Sequence, residues 1–551
     1  MRRPDAVDFV VVGCGAAGGI IAKELATAGF TVVVLEQGPR VESHQFAHDE
    51  IATFFQGQLQ NDWLTQPQTF RKTEAERARL VQPRSGLATR KRLVYHRLVG
   101  GGSVMFSGNY WRFREIDFIE RSRLGPVAGT GLADWPITYQ ELEPYYTRAE
   151  WELGVSGAPG PFDPPRSRPY PLPPLPVKAS GVLFERGARA LGLHPQPAPM
   201  AVLSRAFGGR PACQHCGFCY GCGCEFEAKS ATLHTTIPAA EATGRCEIRA
   251  DSYVRRIQID GRGRVTGAVY FDQNRWEQFQ PARAVVLCAN GAETPRLLLM
   301  SASSLFPNGL ANSSGLVGKY LMLNGYASAH GVFERPLNEF KSVVTTRVLF
   351  DFYERAPGRD FYGGGGLDAR GHAFPAQFAL RGLPRKAPSW GAEYKRMLRE
   401  YYTRTMTVAG HSTSLPLESN NITLDPEVKD DWGLPAIRVT YRDHPDDLAV
   451  MRFLQKQAEA ILEAAGARRT WTSPVEESDG GVHLLGTCRM GDDPKTSVVD
   501  RYHRAHDVPN LFICDGSSLV TGGRGQPTAT IQALAYRAGE HIARFARRGD
   551  I

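Results

Sequence analysis

Residues 8–37 read DFVVVGCGAAGGIIAKELATAGFTVVVLEQ, and the fold follows from this stretch. From Asp8 to Gly13 the apolar run is unbroken, the pattern of a parallel strand covered on both faces. Gly13, Gly15 and Gly18 follow at the GxGxxG spacing, after which Ile20, Ile21, Ala22 and Leu25 fall on one side of a helix. Thr31 to Gln37 reads as a second strand ending on Glu36. Glycines at these positions let the backbone approach a pyrophosphate, and the helix N-terminus supplies N–H groups and a dipole that favours negative charge. Glu36 lies eighteen residues after Gly18, where a carboxylate can accept hydrogen bonds from an adenosine ribose. A GxGxxG alone is a weak signal. Strand, helix, strand and acid in order predict a Rossmann-like dinucleotide-binding unit, with Gly13, Gly15, Ala16, Ala17, Gly18 and Glu36 at the cofactor.

Flavin or nicotinamide is decided further along the chain. Residues 97–114, RLVGGGSVMFSGNYWRFR, form a Gly-rich loop followed by aromatics that can lie against a flavin ring and its phosphates. That loop places Gly101, Gly102, Ser103 and Asn109 at the cofactor. Residues 285–301, VVLCANGAETPRLLLMS, predict a strand, a tight turn and a helix begun by Pro295. Residues 251–272 alternate like strands about a Gly turn, a small meander on the adenosine side that carries Val254. Near the end, 510–517 is a strand running into a turn at Asp515 and Gly516, followed by Gly525-Gln526-Pro527-Thr528 and a helix through Ala543.

Five of the ten cysteines, Cys213, Cys216, Cys219, Cys222 and Cys224, fall within twelve residues of the segment 210–230, RPACQHCGFCYGCGCEFEAKS. Neighbouring disulfides in a Cys-x2-Cys-x2-Cys run are strained, because a disulfide needs a particular Cβ separation. The thiolates can instead converge, as in short ferredoxin-type runs that hold iron and sulfide. Zinc is an alternative, although its structural sites usually pair two separated Cys-x-x-Cys knuckles and the chain has no second one. The other five, Cys14, Cys246, Cys288, Cys488 and Cys514, are scattered and read as small buried hydrophobes.

The chain has 551 residues, enough for two or more domains, with 42% apolar and 22% charged residues, ordinary for a soluble globular protein. A net charge of +8 with no concentrated basic tract gives nucleic-acid binding little support. No apolar run reaches the ~20 residues that span a bilayer. Arg2-Arg3 invites a twin-arginine reading, but the apolar residues that follow run straight into Gly13, as a first strand does.

These stretches, in this order, resemble the glucose–methanol–choline (GMC) flavoprotein oxidoreductases over nearly the whole chain. HLLGTCRMGDDP at 483–494 and DGSSLVTGGRGQPTATIQALA at 515–535 carry the match. DWPITYQELEPYYTRAEWELGVSG at 134–157 resembles the branch of bacterial sugar and polyol dehydrogenase catalytic subunits. The resemblance implies an α/β chain, α+β overall, in which a Rossmann-like FAD-binding domain carries a PHBH-like substrate domain built on an antiparallel sheet. We assign 1–40, 88–115, 180–320 and 475–551 to the FAD-binding domain. The intervals 41–87, 116–179 and 321–474 go to the substrate domain and its excursions, including the strand-like runs at 421–425 and 436–441 and a helix over 446–465.

The resemblance places His483 at the catalytic histidine. Hydride abstraction from an alcohol carbon needs a group to take the hydroxyl proton, and a neutral imidazole suits that task. The family's second position is usually His or Asn and here falls on Gln526, which can bond the substrate oxygen but cannot act as a base. Pro527 and Thr528 would start a helix aimed at the flavin pyrimidine end, favouring negative charge there. Sugar dehydrogenases of the resembling branch hold an iron–sulfur cluster in the cysteine region, which implies Cys213, Cys216, Cys219 and Cys224 as ligands of a 3Fe-4S or 4Fe-4S cluster, with Cys222 spare.

The expected function is FAD-dependent oxidation of a hydroxyl of a sugar, glycoside or polyol. Electrons would pass through the cluster to a protein or quinone-linked acceptor. Two other readings stand beside it: an oxidase using dioxygen with a structural cysteine segment, and a non-catalytic electron-carrier subunit. In the resembling dehydrogenases a small companion subunit carries the export signal and a cytochrome c receives the electrons. The implied location is therefore periplasmic through such a partner, and otherwise cytoplasmic.

Overall fold

The computed structural model describes residues 5–46, 48–56, 59, 66–81, 92–354, 358–371 and 374–551. Arg2-Arg3 and parts of the intervals 41–87 and 88–115 lie outside the described residues.

The apolar run at the N-terminus becomes strand Val7–Val12, parallel to Val32–Leu35 on one side and Glu277–Leu287 on the other, with Phe9 opposite Val32 and Val10 opposite Val285. Phe9 to Val12 are buried: Phe9 and Val11 share a core with Ile20, Ile21 and Ala535, and Val10 and Val12 share another with Ile257, Ala268 and Leu297. Helix Gly18–Thr27 connects the first two strands and turns Ile20, Ile21, Ala22 and Leu25 inward against Ala535, Ala538 and Ile542 of the last helix, Thr528–Arg548. Each large aliphatic side chain buried in this way contributes about 1.5–3 kcal/mol. Cys246–Arg249 and Leu511–Ile513 add further parallel strands. Strand Glu277–Leu287 is shared: its second half joins this sheet, and its first half pairs antiparallel with Val265–Phe271, which pairs with Tyr253–Ile259. The alternating residues 251–272 thus fold as the meander expected of them.

A second sheet is antiparallel throughout, in the order Arg469–Thr472, Tyr326–Val332, Thr405–Ser412, Gly365–Gly371, Thr345–Leu349 and Gln196–Pro197. Helix Pro445–Ala464 packs on one face, where Val450, Leu454, Ala458 and Ile461 meet Leu367, Ala369, Met406 and Val408. Side chains alternate between the faces of a strand. Asp368, Arg370 and His411 therefore point to the opposite face, towards the nucleotide unit.

The structure differs from the sequence expectation in three places. Helix Ala179–Ala190 and strand Gln196–Pro197, placed in the FAD-binding domain from residue 180 onward, pack on and pair with the antiparallel sheet instead. Strands Asn421–Lys429 and Pro435–Thr440 do not join that sheet. They form a separate one with Gln68–Arg71 and Arg79–Leu80, because Ile422, Ile437 and Val439 bury against Ala292 and Leu321. The helix expected to begin at Pro295 begins at Asn290, whose Oδ1 accepts from Ala292 N and Glu293 N. Pro295 is tolerated inside it because Gly291 O, which lacks its usual N–H partner, accepts from Thr487 Oγ1 at 2.8 Å. Among the described residues no helix is long and apolar enough to cross a membrane.

The loop before the last helix is fixed by a buried ion pair, Arg524 Nη1 to Asp117 Oδ1 at 2.5 Å, with Glu120 Oε1 3.0 Å from the same nitrogen. Asp117 Oδ2 accepts from Arg114 N at 2.7 Å and from Tyr353 OH at 2.5 Å. Removing one partner of a fully buried pair strands the other charge, at a cost of about 3–5 kcal/mol. Asp117→Asn is expected to destabilise the protein on that scale, measured as a lower thermal midpoint than that of the parent.

Candidate active site

Between the two sheets lies a cavity of about 730 Å³. Its wall brings together Gly13, Gly15, Ala16, Ala17, Glu36, Gly101, Gly102, Ser103, Val254, Asp515, Gly516, Gln526, Pro527, Thr528 and His483. Two of the residues expected at the cofactor stand behind the wall. Gly18 closes the turn: a Cβ there would sit 1.9 Å from Gly13 O, so only glycine lets the helix start this close to the strand. Asn109 is buried in the substrate unit and donates from Nδ2 to Asp368 Oδ2 at 3.3 Å.

The glycine end fits a pyrophosphate. Gly15 and Gly101 come from different loops and meet: a Cβ on Gly101 would lie 2.8 Å from Gly15 Cα. A Cβ on Gly102 would meet nothing within 4 Å, and one on Gly15 only Gly101 Cα at 4.0 Å, so both positions open into space that a ligand can fill. Glu36 accepts from Cys14 N at 2.8 Å through Oε2 and from Gly38 N at 3.0 Å through Oε1. Each oxygen keeps a lone pair for a hydroxyl. Burial pushes its pKa up to about 7 against those two N–H groups.

At the other end, His483 faces Gln526, His411 and Arg370. Burial pushes the His483 pKa down to about 3, His411 and Arg370 push it further, and Gln526 opposes them. The imidazole is therefore held in its neutral form, the form that can accept a proton. Asp368 Oδ1 accepts from Arg370 Nε at 2.5 Å, and Oδ2 accepts from Arg370 Nη2 at 2.8 Å. Tyr326, Arg370 and His411 were not foreseen. The alternation of TMTVAGHS at 405–412, with Met406 and Val408 on the apolar face, is the one sequence signal that sets His411 on the other.

The cysteine segment forms part of the same wall. Tyr220 and Gly221, between Cys219 and Cys222, line the cavity, and Gly221 N donates to Met105 O at 2.9 Å in the Gly-rich loop. All five thiols are unpaired. Among the described residues no three His, Cys, Asp or Glu side chains are grouped so that they could hold a metal ion.

A dinucleotide cradle faces a histidine across one cavity, an arrangement that suits a dinucleotide-dependent oxidoreductase. The GMC oxidoreductase model matches residues 7–323 with its N-terminal part and 416–535 with its C-terminal part. The chain is 35% identical to 2-methyl-1,2-propanediol dehydrogenase of Mycolicibacterium austroafricanum, over 98% of this chain and 96% of that protein. It is 28% identical to the fructose dehydrogenase large subunit of Gluconobacter japonicus, over 98% of each. Its fold matches a formate oxidase variant of Aspergillus oryzae, studied for its FAD modification, with a TM-score of 0.64 at 15% identity over the whole of both chains. The chain belongs to the GMC oxidoreductase family, FAD-dependent enzymes acting on CH–OH groups.

Gly15→Ala and Gly102→Ala are expected to leave the thermal midpoint of the apoprotein nearly unchanged while lowering the flavin retained per chain after gel filtration. Gly18→Ala forces Gly13 aside and should destabilise the apoprotein itself by about 1–3 kcal/mol, the scale of overpacking.

Proposed function

We propose that this protein is a dehydrogenase that oxidises a hydroxyl of a sugar, glycoside or polyol with His483 as the base. The observation that carries this reading is His483 itself, which lines the cavity beside Gln526 across from the glycine cradle and is held in its neutral form by burial. Bound FAD would take the hydride from the carbinol carbon. As the carbon–oxygen double bond forms, the hydroxyl becomes acidic and His483 accepts its proton. The N-terminus of helix Thr528–Arg548 borders the cavity and favours negative charge there. The similarity to a diol dehydrogenase and a fructose dehydrogenase supports a hydroxyl-bearing substrate for this chain.

We assign an iron–sulfur cluster, rather than a single ion, to the cysteine segment. A cluster spreads its thiolates over several irons, so they stand further apart than around one metal. Cys222 turns its Sγ to Thr53 Oγ1 at 3.8 Å. The proposed set is therefore Cys213, Cys216, Cys219 and Cys224. Lys229 is buried beneath them and donates to Cys219 O, Cys222 O and Phe106 O at 2.9, 2.6 and 2.8 Å. A buried ammonium facing thiols suits a centre of net negative charge. Such a cluster would supply one-electron exit from the cavity to a protein or quinone-linked acceptor. The reading extends to a small signal-bearing companion subunit, a cytochrome c acceptor and a periplasmic location through that companion. The name "large subunit" borne by the fructose dehydrogenase relative supports an assembly of this kind.

His483→Ala is expected to slow substrate-driven flavin reduction by ~10²-fold or more, read by stopped flow. With the His483 pKa near 3, the parent should show no acidic limb from this residue across about pH 5–8. An unchanged rate in the variant would remove His483 from the base role. Faster turnover with dioxygen than with a dye acceptor would favour an oxidase.

Purified protein is expected to contain iron and acid-labile sulfide, lost in Cys219→Ser with flavin retained. Metal-free protein with full flavin and full dye turnover would exclude the cluster. Fractionation of native cells and co-purification test the location and the companions.

A further inference from the structure

Arg370 is a cation in the cavity wall that the reading above leaves without a role. Strand Gly365–Gly371 turns Leu367 and Ala369 to the apolar face under helix Pro445–Ala464, so Asp368 and Arg370 fall together on the cavity side. Arg370 Nε and Nη2 both donate to the Asp368 carboxylate, and His411 Nε2 lies 3.0 Å from the same Nη2. Tyr326 lies under the guanidinium, its ring centre 5.5 Å from Cζ, which fixes the plane of the fork. Nη1 is different. It donates to none of the described residues and is not sealed from the cavity, so its two N–H groups are open to whatever fills that space.

We propose that Arg370 Nη1 binds a second hydroxyl of the substrate, on the carbon next to the one oxidised, and so makes this enzyme selective for vicinal diol units over isolated alcohols. The reach is right. His411 stands between Arg370 and Gln526, with Nε2 3.0 Å from Arg370 Nη2 and Nδ1 3.2 Å from Gln526 Nε2. One imidazole thus separates the fork from Gln526, which shares the wall with His483, and two hydroxyls on neighbouring carbons span a comparable gap. The charge suits a neutral partner. Asp368 already matches the positive charge of Arg370 through both arms of the fork. Glu476, Glu477 and Asp479 share the wall with Arg92 and Arg381, so no surplus positive field awaits a carboxylate. A hydroxyl oxygen needs only a donor. The donor is also held still: with Asp368 on one edge and Tyr326 beneath, the guanidinium has little freedom left to lose when a substrate binds. An alcohol without the second hydroxyl would leave these N–H groups unpaired in a site closed to water, and a site built to bond a hydroxyl rejects an analogue that lacks it.

This inference rests on the alcohol-oxidising reading, and its test keeps the two apart. Flavin reduction in the holoprotein is followed by stopped flow with propane-1,2-diol and with propan-1-ol. Binding of the same two alcohols is measured by calorimetry on His483→Ala holoprotein. The diol is expected to be favoured by ~10-fold to ~10²-fold in both measurements, the scale of one hydrogen bond from a charged donor. Arg370→Lys keeps a cation for Asp368 but loses the fork, and should abolish the preference. The double variant Asp368→Asn with Arg370→Gln leaves no buried charge behind, so it decides the matter where the lysine variant fails to fold, and the same loss is expected. Each comparison is a ratio of two alcohols on one protein, so general damage to the cavity cancels. The inference is overturned by a parent that treats the two alcohols alike, by a diol preference that survives in either variant, or by lactate binding more tightly than propane-1,2-diol. If the diol is bound selectively through Arg370 while no alcohol reduces the parent flavin, the alcohol-oxidising reading falls and the binding site stands.

Discussion

The buried carboxylate of Asp515 is the knot on which the cavity depends. Its Oδ2 accepts from Asn290 N at 2.9 Å and from Thr294 Oγ1 at 2.6 Å, while Oδ1 accepts from Ser517 N at 2.8 Å. One side chain thereby joins the helix that leaves strand Glu277–Leu287 to the turn that leaves strand Leu511–Ile513. Burial alone would favour its neutral form, and the donors gathered around it oppose that. The segment after His483 is then fastened to the same turn: Gly486 N donates to Gly516 O at 3.0 Å and Cys488 N to Ser517 O at 2.8 Å. Gly291 completes the contact, since a Cβ there would sit 2.1 Å from Leu484 O. His483 is thus placed by backbone bonds to the turn that this carboxylate holds.

What the sequence reveals follows from the range of the forces involved. The first βαβ unit is legible because its strand, turn and helix are contiguous and each has its own periodicity. His483 and Gln526 are legible through local motifs. Asp368, Arg370 and His411 are not, since their meeting depends on strand register across residues far apart in the chain, and register is a tertiary property. The same limit explains Asn109, expected at the flavin but bonded to Asp368, and the pairing of Pro435–Thr440 with Gln68–Arg71. Pro295 misled for a different reason. Proline is a strong helix-start signal, but the side chain of Thr487 satisfies the carbonyl that proline leaves open.

Lys229 shows how a costly group can organise a loop. An ammonium taken out of water needs its donors satisfied. Here all three hydrogen bonds go to carbonyls, two in the cysteine segment and one in the Gly-rich loop. The bonds cross between the two segments and hold them edge to edge.

Tyr220 belongs to both of those worlds, as a wall of the cavity and as a residue of the thiol loop between Cys219 and Cys222. Reshaping this wall for a bulkier alcohol must also bend the loop that carries the sulfurs. Selection for a new substrate and selection on the thiol loop therefore act on the same few residues. A lineage changing one would drag the other with it, and its substrate range would drift along paths that keep the geometry of this loop intact.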